Sequence, residues 1–443
     1  MKFLPPICSA LIWGSGQLIN KQKIKALIFF VFQLLFVGAE LLSGSANILS
    51  GAAEGQFRNA GFFVKGLWGL VTLGTIPRES SRQPFYDHSI MLMLAGIISL
   101  LVLLIFTGIW IWNIADAWQT RKRMIGGRKA ESSVQYFRKL WSSSFEYIMI
   151  TPGILLIVFI SLVPIIFAVL VAFTNYNANF IPPRRLVDWN GFNTFIDIFK
   201  IRIWGSTFVQ IFIWTVVWAF LATFSAYAFG LFQALILRAK VVKLRNVWRG
   251  IFILPWAVPG LVSMLVFRAM LNSEGAINQL LLGAGIIQHA IPFLSNVFWA
   301  RLSLVLVNVW LGFPYFMALI SGLMTTIPQE MYEAAQIDGA NVFQVFRKIT
   351  LPFIIASTAP QILMSVTFNF NNFNMIYFLT GGGPPNPSFQ MAGSTDILIS
   401  WIFKLTLDQR MYNYASVLSI FIFIIVASVS AWNLLRTRAF KED

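Results

Sequence analysis

The feature that most limits how this chain can fold is a series of long apolar runs. Several of them exceed the roughly 18 to 20 residues that an α-helix needs to cross about 30 Å of hydrocarbon. Hydrophobic residues make up 57% of the 443 residues, and charged residues only 11%, which is far from the balance of a soluble domain. The sequence does not show the alternating pattern of a membrane barrel. It therefore predicts an all-α integral membrane protein.

The runs predict about eight transmembrane helices. They cover residues 24–43, 90–113, 147–173, 207–236, 250–271, 301–325, 352–379 and 415–435. Basic clusters follow the second, fourth and last runs and precede the first, as cytoplasmic segments do, so we expect both termini in the cytoplasm. The outer loop after the third run, with Arg184 and Arg185, is an exception. Residues 59–76 are interpreted as an interfacial or outer helix, because a further crossing would invert everything after it.

Several classes of function find little support. The net charge of +16 could indicate nucleic acid, but the basic residues flank the apolar runs, so we expect no nucleic-acid partner. Two distant histidines argue against a metal site, and the chain has no phosphate-binding loop of its own. We therefore expect no metal, no bound cofactor and no catalytic residue. The glycine-rich segment 380–385 reads as a turn rather than a phosphate cradle.

The seventh run contains a cluster of amides, "FNFNNFN" at 368–374. A buried amide without a partner costs about 2 to 7 kcal/mol, so the cluster has a structural or a functional purpose. Helical spacing places Phe368, Asn369 and Asn372 on one face and Asn371 on another. The amides could bond neighbouring helices or line a path for a solute, and the residues alone leave both open.

The fifth and sixth runs carry similar interruptions. The sixth contains "NVWLGFPYF", which brings Asn308, Leu311 and Tyr315 together near Gly312 and Pro314, and the fifth contains "LPWAVPG". Broken helices at membrane depth are tolerated where they line a cavity. Aromatic faces and amides suit a neutral solute rich in hydroxyl groups, so the three runs suggest a pathway for such a solute.

The segment "EAAQIDGANVFQVFRKITLP" at 333–352 looks like part of a soluble protein. We expect one helix ending at Gly339 and a second with an apolar stripe formed by Val342, Val345, Phe346 and Ile349. A free cytoplasmic loop would not need such a stripe. The order Glu-Ala-Ala, three residues, Gly, nine residues, Ile, one residue, Leu-Pro resembles the EAA loop of permease subunits in ATP-binding-cassette importers.

This resemblance implies a type I importer permease fold and a function. The loop, about 326–351, would dock on an ATPase subunit through Glu333, Ala334, Ala335 and Gly339. The implied partners are a MalG-like second permease, two ATP-binding ATPase subunits, an extracellular solute-binding protein and the lipid membrane. ATP would be used by the partner subunits and not by this chain.

The segments "IPQEMYEAAQIDGA", "LGFPY", "FNFNNF" and "LTGGGP" resemble the MalF type of maltose and maltodextrin permeases. The resemblance implies sugar contacts from Asn308, Leu311, Gly312, Tyr315, Phe368, Asn369 and Asn372. Trp256 and Gly260 stand where the enterobacterial form has Tyr and Ser, so Trp256 would offer a larger stacking surface.

We expect an N-terminal region of two helices over 1–130 and a six-helix permease core over 131–443, in a bacterial cell membrane. The predicted substrate is an oligosaccharide of the maltodextrin type, with another neutral oligosaccharide as the alternative. An ion-coupled secondary carrier would normally need a carboxylate or histidine at the bilayer centre, and a glycan-processing enzyme would need an acidic pair. The sequence offers neither.

Overall fold

The computed structural model consists of helices joined by loops. It describes residues 2–46, 59–83, 85–127, 144–239 and 241–436, with individual positions between 135 and 142. The chain forms two compact units, residues 1–194 with 411–416 and residues 195–410 with 417–443. The division expected near residue 130 stays a prediction.

The first unit contains the N-terminal helices and the first three long apolar ones. They are α1 Leu4–Leu11, α2 Ser15–Ile19, α3 Lys23–Ala46, α4 Phe62–Thr72, α5 Ser89–Ile125, α6 Phe145–Ile157 and α7 Val163–Val171. A π-helical turn at Val158–Leu162 joins α6 to α7, so the two form one continuous apolar segment, Phe145–Val171. The helix α8, Asn193–Lys200, begins at the end of this unit.

The hairpin made by α1 and α2 is fixed to the side of α5 by uncharged polar groups. Asn113 of α5 donates from Nδ2 to the Ser9 carbonyl at 2.8 Å, and its Oδ1 accepts from the Gly14 amide at 3.1 Å. Gln17 Nε2 donates to the Asn113 carbonyl at 2.8 Å. Lys25, at the start of α3, pairs with Asp116 at 2.9 Å. These bonds satisfy polar groups that would otherwise be buried without partners.

The helix α4 lies within the segment 59–76 that the sequence left ambiguous. It has 11 residues, which at 1.5 Å per residue is too short to cross about 30 Å of hydrocarbon. Glu40 Oε2 accepts from the Phe63 amide at 2.7 Å at its first turn. Gly66 and Gly69 let α4 approach α5 closely, because a Cβ atom at either position would overlap with Ser99 or Leu92.

The second unit contains the remaining helices. They are α9 Arg202–Arg238, α10 Arg245–Ala257, α11 Gly260–Met270, α12 Ala276–Gly283, α13 Val297–Thr326, α14 Gln329–Ile337, α15 Val342–Val345, α16 Leu351–Phe370, α17 Phe373–Leu379 and α18 Leu398–Leu407. The last helix, α19 Tyr412–Arg436, begins in the first unit and ends in the second. Among the described residues, six helical segments are long and apolar enough to cross a membrane.

Two of the expected spans differ in detail from the sequence interpretation, and the eighth corresponds to α19. The fifth is bent by 88° between α10 and α11, and counting that pair as one crossing gives seven among the described residues. The seventh is not continuous, since α16 ends at Phe370 and α17 begins at Phe373.

The sixth span was expected to be interrupted, and this expectation was wrong. The helix α13 runs through Gly312 and Pro314 without a break. Phe313, Phe316 and Met317 are buried beside this point in a core shared with α9. We attribute the continuity to this packing, which holds the helix where Pro314 removes one backbone donor.

Gly230 sets how closely α9 approaches α13. A Cβ atom there would lie 2.7 Å from Phe316 Cβ and 2.9 Å from the Met317 amide nitrogen. We therefore expect Gly230→Ala to destabilise the chain by about 1 to 3 kcal/mol through overpacking. Thermal unfolding in detergent measures this. The control is Gly322→Ala on α13, where an added Cβ meets nothing within 4 Å, and equal unfolding temperatures for the two variants would contradict the assignment.

Candidate functional site

Two of the predicted sugar-contacting amides are committed to packing within the second unit. Asn308 is 7% exposed, and its Nδ2 donates to the Ala222 carbonyl of α9 at 3.0 Å. Asn369 is 4% exposed and donates from Nδ2 to Thr223 Oγ1 at 3.0 Å. The main-chain carbonyl of Asn369 also accepts from Trp218 Nε1 at 3.1 Å. Both amides therefore join α13 or α16 to α9.

Asn371 and Asn372 form the break between α16 and α17. Asn372 Oδ1 caps α17 by accepting from the Met375 amide at 3.2 Å, and its Nδ2 donates to Asn369 Oδ1 at 3.3 Å. Asn371 is exposed and donates to the Thr367 carbonyl of its own helix at 3.4 Å. Asn371 therefore bonds within its own helix, which ends there and turns the side chain outward.

An exposed aromatic face lies beside this break. We define the aromatic face as Trp256, Tyr315, Gln361, Met364 and Phe368. Trp256 is 52% exposed and Phe368 68%, and the rings of Trp256 and Tyr315 are 6.3 Å apart, centre to centre. Gln361, Met364 and Phe368 follow one another at spacings of three and four on α16, so they share one side of that helix.

Hydrogen bonds orient the Tyr315 and Trp256 rings of the aromatic face. Tyr315 Oη donates to Gln361 Oε1 at 3.0 Å, and Trp256 Nε1 donates to the Leu311 carbonyl at 3.3 Å. The five side chains carry no charge and still offer hydrogen-bonding groups, so the face can bind a neutral polar molecule by stacking and by hydrogen bonds. Sequence reasoning missed Gln361 and Met364, although a glutamine seven residues before Phe368 in an apolar run was a usable signal.

The remaining predicted positions, Leu311 and Gly312, are half-buried on α13. Leu311 contributes its carbonyl to the bond with Trp256. A Cβ atom at Gly312 would lie 3.2 Å from the Ala226 Cβ of α9. Gly312 therefore serves the contact between α13 and α9, while Leu311 lies at the edge of the aromatic face.

The segment after α13 forms the two short helices that the sequence predicts. Gly339 has a φ of +74°, and its amide donates to the Gln336 carbonyl while the Ala340 amide donates to the Ala335 carbonyl. This is the bonding pattern of a Schellman motif, which favours glycine at the left-handed position. Asn341 and Gln344 then cap α15 reciprocally at 2.8 and 2.9 Å.

The loop exposes a mixed surface. Glu333 is exposed and accepts from Gln329 Nε2 at 2.8 Å, Ala334 is exposed, and Ala335 is half-buried. At the tip, Ile337 is 87% exposed and Val342 88%. Of the expected apolar stripe, Val345, Phe346 and Ile349 are half-buried and Val342 is not. Exposed apolar side chains at a loop tip are typical of an interaction site.

The base of this loop is clamped by one tyrosine. The Arg238 guanidinium lies 4.7 Å above the Tyr332 ring, and its Nη1 donates to Tyr332 Oη at 3.1 Å. Tyr332 Oη also bonds Thr350 Oγ1 at 3.2 Å. A cleft of about 1230 Å³ opens beside this contact, with Arg245, Arg249 and Glu333 among its lining residues. The clamp ties α14 to the end of α9 and to the residue just before α16.

Comparison with known proteins identifies the family. Residues 226–437 match the model for the binding-protein-dependent transport system inner membrane component. The galactooligosaccharides transport system permease protein GanP of Bacillus subtilis is 39% identical over 437 residues, which cover 98% of this chain and 97% of that protein. The chain belongs to the carbohydrate-uptake permeases of ATP-binding-cassette importers.

A second relative agrees with this family assignment, and a solved structure agrees with the fold. The maltodextrin transport system permease protein MdxF of Bacillus subtilis is 35% identical over 444 residues, covering 98% of this chain and 95% of that protein. The crystal structure of a bacterial ABC transporter involved in the import of the acidic polysaccharide alginate matches with a TM-score of 0.56 at 20% identity, covering 69% of this chain and 99% of that one. At that identity the likeness concerns the fold, which is that of an importer permease.

Mutation can distinguish the role of the buried amide of Asn369 from that of the exposed amide of Asn371. We expect Asn369→Ala to destabilise the protein by about 1 to 3 kcal/mol, because it removes the partner of the buried Thr223 hydroxyl. Asn371→Ala, at an exposed position two residues later, should change stability by less than about 0.5 kcal/mol. Thermal unfolding of the two variants in detergent makes the comparison. A larger loss of stability at 371 than at 369 would reverse the roles assigned to them.

Proposed function

We propose that this chain is the MalF-type permease of an oligosaccharide importer and that sugar passes along its aromatic face. The observation that carries the proposal is an uncharged, exposed set of rings with amide and hydroxyl groups between them. Sugar rings have an apolar side that stacks on aromatic rings and hydroxyl groups that pair with amides. A site for an anionic or cationic solute would instead need an opposite charge.

Within this proposal the predicted residues take different roles. Trp256, Tyr315 and Phe368 offer stacking surfaces, with Leu311 at their edge. Asn372 is half-buried at the break, and after its bonds to Asn369 and Met375 it retains one amide proton and one lone pair. Asn308, Gly312 and Asn369 support the site from behind through their contacts with α9.

The substrate we propose is a linear neutral oligosaccharide of the maltodextrin type. The 35% identity to MdxF over nearly the whole chain supports it, together with the sequence resemblance to MalF-type permeases. Galactooligosaccharides are the second candidate, because GanP is 39% identical over a similar length. Both are chains of neutral hexoses, and the aromatic face is compatible with either.

The proposed complex contains a second, MalG-like permease, two ATPase subunits and an extracellular solute-binding protein. In this proposal the ATPase subunits bind and hydrolyse ATP, and this chain contributes the membrane pathway. Glu333, Ala334, Ala335 and Gly339 form the surface that meets an ATPase subunit, and the exposed side chains of Ile337 and Val342 support docking there. The complex lies in a bacterial cell membrane with both termini of this chain in the cytoplasm.

The mechanism we propose is alternating access. Closure of the ATPase pair on ATP moves the docked loop, and the Tyr332 clamp carries that motion to α9 and α16. Because Gln361, Met364 and Phe368 of the aromatic face lie on α16, a shift of that helix alters the sugar site. Sugar is taken from the binding protein when the site opens outward.

Uptake by the reconstituted complex tests the sugar site. We expect Phe368→Ala to lower uptake of labelled maltotetraose about fivefold, since losing one aromatic contact costs about 1 kcal/mol. Basal ATP hydrolysis and assembly should persist. Phe298→Ala is the matched control, because Phe298 is 67% exposed but lies at the other end of α13 from the loop and outside the aromatic face.

Uptake of labelled maltotetraose and of a labelled galactooligosaccharide by the unaltered complex decides the substrate. Uptake of maltotetraose supports the first candidate, and uptake of the galactooligosaccharide alone supports the second. Equal uptake by the Phe368 and Phe298 variants would contradict the assignment of the aromatic face, whichever sugar is carried.

A further inference from the structure

An apolar groove lies between α1 and α5 in the first unit. Its volume is about 460 Å³. It is lined by Phe3, Pro6, Ile7, Ala10, Ile111, Ile114, Ala115 and Trp118. All eight side chains are apolar in character, so the groove favours an apolar occupant such as a hydrocarbon chain.

The groove has fixed walls. Asn113 Nδ2 bonds the Ser9 carbonyl at 2.8 Å, and Trp110 Nε1 bonds the Ala10 carbonyl at 3.0 Å. Both bonds join α5 to the C-terminal end of α1. The amide of Gly16, in α2, also donates to Ser9 Oγ at 2.9 Å. The separation of α1 and α5 is therefore set by hydrogen bonds and not by the contents of the groove.

Positive charge lies directly beyond one end of the groove. Arg121 and Lys122 follow Trp118 by three and four residues, so they continue the groove side of α5. Lys122 Nζ lies 5.7 Å from the centre of the Trp118 ring. Arg121 Nε is buried and has no hydrogen-bond partner among the described residues. A buried N–H group without a partner is stabilised when a hydrogen-bond acceptor binds to it.

We propose that this groove binds one acyl chain of an anionic phospholipid, with its phosphate held by Arg121 and Lys122. A phospholipid has the required apolar chain and negative group joined end to end. Trp118 lies between the two parts, as aromatic residues do at the boundary between hydrocarbon and headgroups.

Native mass spectrometry of the purified complex tests the proposal. The probes are phosphatidylglycerol and phosphatidylcholine with identical acyl chains. We expect phosphatidylglycerol to be retained preferentially, and Arg121→Gln or Lys122→Gln to weaken that retention about fivefold each, which corresponds to one basic group near a lipid phosphate. Arg123→Gln is the matched control, since it removes one charge from the adjacent position on another side of α5.

A second variant tests the groove without altering charge. Ala115→Phe should fill it and lower retention of phosphatidylglycerol, while assembly of the complex shows that the variant is folded. Equal retention of the two lipids by the unaltered complex would overturn the proposal. Equal loss of phosphatidylglycerol retention in the Arg123 and Lys122 variants would also overturn it, because binding would then depend on general surface charge. Unchanged retention in the Ala115 variant would overturn it too, because the acyl chain would then not occupy the groove. Selectivity that is present in the isolated chain and lost on assembly would assign the groove to a partner subunit instead.

Discussion

A backbone amide in hydrocarbon has no water to bind, and this constraint governs the whole architecture. Helices satisfy their amides internally, so irregular backbone is tolerated only where other groups replace the lost bonds. The second unit interrupts its apolar helices at 258–259 and at 371–372. At the second of these, Asn372 replaces a lost acceptor by capping α17. Both interruptions lie next to residues of the aromatic face, so the irregular backbone coincides with the site proposed for sugar.

Uncharged polar groups on α9 hold the second unit together. Thr215 Oγ1 accepts from the Leu398 amide at 3.0 Å, and Tyr227 Oη bonds Thr358 Oγ1 at 2.9 Å. Ala222 and Thr223 accept from the side-chain amides of Asn308 and Asn369, and Trp218 donates to the main-chain carbonyl of Asn369. These bonds are directional, whereas apolar contacts between helices in lipid have little hydrophobic driving force. The helix α9 is therefore the element against which α13, α16 and the start of α18 are positioned.

The sequence predicted the class of fold and the loop better than the site. Run length depends on bilayer thickness, and the helix break at Gly339 depends on a local backbone angle, so neighbouring residues suffice to predict both. The roles of the asparagines depend on which helix lies opposite. Helical spacing grouped Asn369 with Phe368, but α9 covers Asn369 and leaves Phe368 exposed. The continuity of α13 through Pro314 likewise depends on packing against α9, which no local pattern reveals.

We propose that ATP hydrolysis on separate subunits drives sugar movement through this chain and is coupled to it through the loop of α14 and α15. The most direct measurement is ATP hydrolysis stimulated by sugar-loaded binding protein, with uptake, in proteoliposomes carrying Gly339→Val. A branched side chain at a φ of +74° is strained and should displace the loop, so both stimulated hydrolysis and uptake should fall to basal levels. Gly283→Val, at the end of α12 where an added Cβ meets nothing within 4 Å, should retain both. Normal ATP-driven uptake by a correctly assembled Gly339 variant, or uptake driven by an ion gradient without ATP, would contradict the account.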